Sequence, residues 1–146
     1  MAAEYSYVPT QIVAEDANII FLEGSRACRK GYVQHRDSSG VFRLKGAANA
    51  CKTIYRVQFN ANIAVAPAAD GGVLGPISVA LQEDGETLGN ALATVTPAAI
   101  GDFFNVPLST FIVVPCGGSV TVSVENVSDG TAISVANANI IIDRVA

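Results

Sequence analysis

FFNVPLSTFIVVPCGGSVTVSVE, from Phe103 to Glu125, is the stretch whose reading decides the fold. In its second half Val120, Val122 and Val124 take one parity, while Ser119, Thr121, Ser123 and Glu125 take the other. A period of two built on β-branched residues is a strand with one buried face, because successive side chains of an extended chain point to opposite sides. The first half, Leu108 to Val114, is a more continuous apolar run, which predicts a strand covered on both faces. Between the halves, Pro115 cannot donate to a ladder, and Gly117 and Gly118 accept the positive φ of a tight reversal. The segment reads as an antiparallel hairpin.

The same period recurs along the chain. Tyr55, Val57, Phe59, Ala61 and Ile63 alternate with Arg56, Gln58, Asn60 and Asn62. Ile77, Val79 and Leu81 alternate with Ser78, Ala80 and Gln82, then Asp84-Gly85 turns the chain into a partner strand from Thr87 to Thr96. Asp37-Ser38-Ser39-Gly40 separates two short strands, Tyr32 to His35 and Val41 to Lys45. Gln11 to Ala14 and Asn18 to Leu22 form a first strand broken at Glu15-Asp16. In the last strand Ile133 and Val135 are odd, whereas Ala138, Ile140 and Ile142 are even. That switch of parity predicts a β-bulge near Ala136-Asn137. The one expected helical turn is Pro97 to Asp102. Residues 1–10 read as an N-terminal arm that orders on docking, and residues 11–146 as one domain. About ten short strands divided by turn signals define an all-β fold, an antiparallel β-sandwich or barrel.

Of the 146 residues 50% are hydrophobic and only 15% charged, against about 25% charged in a typical soluble domain. A surface this poor in charge suits contact with other subunits. The N-terminus has no basic and apolar leader, so we expect synthesis in the cytoplasm without export by that route. No apolar run reaches the length of a membrane span. Asn126-Val127-Ser128 is then a chance sequon. The three cysteines are Cys28, Cys51 and Cys116, an odd number without a Cys-x-x-Cys pair, which predicts free thiols and no zinc site. If one bridge forms, the hairpin around Ser38-Ser39 favours Cys28 with Cys51, leaving Cys116 free.

From Tyr55 onward the order of segments resembles the tumour-necrosis-factor-like jelly roll. It is similar in particular to C-terminal domains of spore-surface collagen-like proteins and to small phage virion proteins. The resemblance is carried by Tyr55-x-Val57-x-Phe59, Val79-x-Leu81 with Asp84-Gly85, Asn105-Val106 with Ser109-Thr110, Pro115-Cys116-Gly117-Gly118-Ser119-Val120, Val122-x-Val124-x-Asn126 and Ala138-x-Ile140-x-Ile142. No collagen-like Gly-x-y tract is present, which favours the phage comparison. The resemblance implies a homotrimer and a structural role on a phage virion, as a decoration protein of the capsid bound to the major capsid protein. A receptor- or glycan-binding tip of a tail fibre or spore surface is the alternative.

Nothing in the sequence spells out a reaction or a cofactor site. His35-Arg36-Asp37 lies on neighbouring positions whose side chains alternate between faces, so no catalytic group converges there. The layout of charge says more. From Arg26 to Arg56 eight cations (Arg26, Arg29, Lys30, Arg36, Arg43, Lys45, Lys52 and Arg56) face one anion, Asp37, a net of +7. Residues 57–146 carry a net of −7. Arg26, Arg29, Lys30, Arg36, Arg43, Lys45 and Lys52 are therefore candidates for docking onto an acidic partner. The Asp84-Gly85 and Asp129-Gly130 turns are expected to face away from that partner. Nucleic acid is a poor partner for a chain of formal charge −4 without a stacking platform.

Overall fold

The computed structural model describes residues 2–26, 32–36, 38–49 and 51–146. Eleven strands are found among them: β1 Ala2–Tyr7, β2 Gln11–Val13, β3 Leu22–Arg26, β4 Val33–His35, β5 Val41–Lys45, β6 Lys52–Val65, β7 Ile77–Glu83, β8 Glu86–Val95, β9 Phe104–Pro115, β10 Ser119–Asn126 and β11 Ile133–Arg144. The first sheet has the order β3-β1-β11-β6-β9, with β2 pairing β11, and the second β4-β5-β10-β7-β8. All the paired strands are antiparallel. Two such sheets face to face make the β-sandwich expected from the alternation, of the jelly-roll type that the resemblance implies.

The core lies between the sheets. Tyr55, Val57, Phe59, Ala61 and Ile63 of β6 meet Val79 and Leu81 of β7, Val120, Val122 and Val124 of β10 and Ile140 of β11 in one cluster. Rings bridge the two layers. Phe21 packs at 5.4 Å from Phe42 and 6.3 Å from Phe59, and Tyr5 at 5.0 Å from Phe42. Such tilted and edge-on pairs add about 0.5–1.5 kcal/mol each beyond the area they bury.

The last strand contains the expected bulge. Its register against β6 shifts between Ala136 and Asn139, and Asn137 takes φ 55°. The shift moves the apolar set from odd to even positions while keeping it on the core side, so Val135 and Ile140 are both buried. Asp84 and Gly85, at φ 51° and 84°, form the tight turn between β7 and β8.

Four expectations are corrected. Pro115 to Gly118 turns sharply, with Gly118 N–H donating to the Pro115 carbonyl at 2.9 Å, but it does not join a hairpin. β9 pairs with β6 in one sheet, and β10 with β5 and β7 in the other. Alternation identifies a buried face and says nothing of which strand lies alongside. Secondly, β9 is not covered on both faces: Val106, Leu108, Ile112 and Val114 are buried, while Phe111 and Val113 are exposed. Thirdly, most of the segment read as an arm is β1, paired with β11 from Ala2↔Asp143 to Tyr7↔Ala138, with Ala3 and Tyr5 in the core. Finally, the helical turn is a 3-10 turn at Ala68–Asp70, closed by Gly71 in the left-handed region, and Pro97 to Asp102 is an irregular turn. No helix among the described residues is long and apolar enough to cross a membrane.

Candidate interaction surfaces

The first sheet has an open face turned away from the core. Its residues are fixed by parity: Glu4 and Ser6 of β1, Asn139, Ile141 and Asp143 of β11, Arg56 to Asn62 at even positions of β6, and Asn105 to Val113 at odd positions of β9. One end of it carries an amide ladder. Asn105 Nδ2 donates to Oδ1 of Asn60 at 2.7 Å and of Asn62 at 3.2 Å, and Asn62 Nδ2 donates to Asn137 Oδ1 at 3.2 Å. Towards the other end of β9, opposite Arg56 and Ile54, stand Phe111, 63% exposed, and Val113, 49% exposed. Ile141 separates two shallow depressions. One, of about 290 Å³, runs along Gln58, Pro107 and Asn139; the other, of about 320 Å³, lies against Ala2 and Glu4.

Charge is sparse on this face. Arg56 and Asp143 pair at 3.0 Å, and Glu4 accepts from Asn139 Nδ2 at 3.5 Å. Parity made the β6 positions Arg56, Gln58, Asn60 and Asn62 legible as outward-facing. The exposure of Phe111 and Val113 was hidden in a run that reads as doubly buried.

The structure distributes the basic candidates. Arg43, Lys45 and Lys52 lie at one end of the sandwich, near Pro115–Ser119, through the pairs Lys45↔Ser119 and Lys52↔Pro115. Arg43 Nε donates to Ser119 Oγ at 3.2 Å, and Arg43 and Lys45 line a polar depression of about 250 Å³ with Gly117 and Gly118. Arg36 is exposed after β4, away from that end. Arg56 is on the open face, paired with Asp143. Arg29, Lys30 and Cys28, and the side chain of Arg26, lie outside the described residues.

The two acidic turns do not share one end. Asp84 Oδ1 accepts from Thr121 N–H at 2.8 Å, and Thr121 pairs with Arg43, so this turn sits at the basic end. Asp129 lies beyond the other end of β10, where Gly130 N–H donates to Glu15 Oε2. The eight residues of β10 separate these ends by roughly 23 Å at about 3.3 Å per residue. Part of the charge split is thus matched within the chain.

Two further sequence features are spoken for. The His35 ring stacks on Phe42 at 4.4 Å and 16°, and its Nε2 donates to the Ser39 carbonyl at 2.8 Å. Nδ1 is buried with no hydrogen-bond partner among the described residues. The ring works as a wall of the core. Asn126 is fully buried, its Nδ2 donating to the carbonyls of Val13 at 3.1 Å and Thr131 at 3.0 Å. The sequon amide is therefore a strut between turns.

Comparison with solved structures agrees with the architecture. The Eiger TNF of S. frugiperda superposes with a TM-score of 0.69 over 100% of this chain and 92% of that one, at 13% identity. The globular domain of zebrafish complement 1qA protein superposes with a TM-score of 0.56 over 99% and 94%, at 11% identity. The chain therefore has the TNF- and C1q-like jelly-roll fold. No family model matches the sequence, and no curated protein matches it.

Proposed function

We propose that this chain is a non-enzymatic structural module that works as a homotrimer, assembled through the open face of the β1, β11, β6 and β9 sheet. The observation that carries this reading is the face itself: Phe111 and Val113 are exposed on a face whose described positions are mostly neutral, with Arg56 and Asp143 paired to each other and Glu4 accepting from Asn139. The centres of association faces are depleted in charge and enriched in aromatic residues. Identical copies meeting through different patches close into a ring or grow as a filament. The jelly-roll resemblance of the sequence supports a ring of three.

In this proposal the trimer decorates a phage capsid, with the major capsid protein as partner, and is made in the cytoplasm of the bacterial host. The support is the resemblance of the sequence to small phage virion proteins, together with the grouping of Arg43, Lys45 and Lys52 at one end. These three, with Arg36 and the Arg26, Arg29 and Lys30 segment, are the docking candidates. Sedimentation equilibrium at micromolar concentration tests assembly, with a trimer mass expected and a monomer mass contradicting it. Co-sedimentation with capsids tests docking. Arg43→Glu with Lys45→Glu should weaken capture at about 0.15 M salt, where the Debye length is about 8 Å, and unchanged capture would place docking elsewhere.

A further inference from the structure

We propose that Cys51 and Cys116 are a redox-active pair that closes into an intramolecular disulfide at the end of the β6–β9 ladder. The register carries the argument. The ladder's last pair is Lys52↔Pro115, and the residues one step beyond each strand end are Cys51 and Cys116. Directly opposed antiparallel residues have Cα atoms about 4.5–5.5 Å apart, within the roughly 4.4–6.8 Å that a disulfide spans. The two cysteines share the parity of Thr53 and Val114, which are buried, so both begin toward the same side of the sheet.

The surroundings hold the two segments together. Cys116 Sγ donates to the Ala48 carbonyl at 3.4 Å, which keeps it against the loop that leads to Cys51. Gly46 N–H donates to the Gly118 carbonyl at 2.8 Å, and Ala47 N–H to Thr53 Oγ1 at 2.9 Å. A Cβ at Gly46 would stand 2.2 Å from the Pro115 oxygen, so the loop is seated directly on the end of β9. Both cysteines are exposed, within reach of a small reagent. The Cys28–Cys51 pairing expected from sequence has its first member outside the described residues.

The oxidant is a small-molecule disulfide of the glutathione type. One protein thiolate attacks it, forming a mixed disulfide and expelling one small thiolate. The second protein thiolate attacks the protein sulfur of that mixed disulfide and expels the other. The protein dithiol loses two electrons and two protons, and the reagent leaves as two thiols. The bond would fasten the loop between Lys45 and Lys52 to the strand end.

Incubation of the native full chain with oxidised glutathione, alkylation of the remaining thiols and mass spectrometry of a non-reducing digest tests the assignment. A Cys51–Cys116 linked peptide with Cys28 alkylated is expected, together with a rise in thermal midpoint that a reductant reverses. Cys51→Ser and Cys116→Ser should each stop at a mixed disulfide on the surviving cysteine, and Cys28→Ser should still close. A bridge that includes Cys28, a link between chains, or a wild-type protein that stops at mixed disulfides or does not react would overturn it.

Discussion

Arg56 and Asp143 pair across β6 and β11 at 3.0 Å on the open face of the first sheet, with Phe111 directly opposite Arg56 on β9. This removes Arg56 from the basic end and makes that part of the face neutral. The pair is partly exposed, at 44% and 25% for the two side chains, and such pairs contribute about 0–1 kcal/mol. Asp143→Asn should therefore change the stability of the monomer by less than about 1 kcal/mol. In the proposed trimer it leaves Arg56 without its partner in an enclosed face, so association should weaken more than folding does. Parallel urea titrations and sedimentation runs compare the two effects.

Phe111 is the sharper probe. It is 63% exposed and not a member of the core cluster, so Phe111→Asp should fold with an unchanged far-ultraviolet spectrum. A charge in place of an exposed ring on the proposed interface should shift the sedimentation mass from trimer toward monomer. A variant that remains fully trimeric would move the interface to another surface.

β1 is part of the fold, so removing Met1 to Pro9 should unfold the chain instead of freeing it from a partner. Tyr5 is 2% exposed and its ring lies 4.8 Å from His35 and 5.0 Å from Phe42. Tyr5→Ala should cost about 3–5 kcal/mol, as for other large buried rings. Chemical denaturation reads this directly, and a loss below about 1 kcal/mol would return residues 1–10 to the status of an arm.

The bulge in β11 gives a conformational prediction. Asn137 adopts φ 55°, and its Oδ1 accepts from Asn62. Asn137→Ala should lose about 1 kcal/mol or slightly more, since a left-handed alanine costs about 1–2 kcal/mol. Asn137→Gly should be better tolerated than Asn137→Ala, because glycine has no Cβ to clash there. The order of the two thermal midpoints is the test.

Glu83 and Glu125 set a pH trend. Both carboxyls are held above their ordinary value of 4.5. Burial is the main cause for Glu83, reinforced by Asp84 and Glu86. Burial also leads for Glu125, with repulsion from Asp16 added and a hydrogen bond from Gln82 opposing. A raised folded value means that the folded state binds the proton better than the unfolded one. The associated stability is complete below the unfolded value and is lost as pH rises through the folded value. Glu83→Gln and Glu125→Gln retain the neutral form, so their advantage over wild type should grow between about pH 4 and pH 7. Urea midpoints at both pH values check the sign.

The alternation in β6, β7, β10 and β11 was legible because burial on one face imposes a period of two on any strand, whatever its neighbours. The same logic located the bulge at Ala136-Asn137, since a change of parity needs an extra residue to keep Val135 and Ile140 in one core. The open face was half legible: Arg56, Gln58, Asn60 and Asn62 read as outward, but Phe111 and Val113 did not. Their apolar side chains carry the signature of a core while standing outside one.

By itself, then, the sequence determined the all-β class, the inward residues of most strands and the tight turns, because these follow from local sterics and from burial along one strand. Tertiary structure alone decided that β9 and β10, adjacent in the chain, belong to different sheets, and that Ala2–Tyr7 inserts beside β11. It also decided that Asp84 faces the basic end and that the β6–β9 ladder ends at Lys52 and Pro115, the residues next to Cys51 and Cys116. Each of these is a long-range pairing, set by which strand completes a sheet's hydrogen bonds and covers its apolar face. That competition among segments leaves no trace in the period of any one of them.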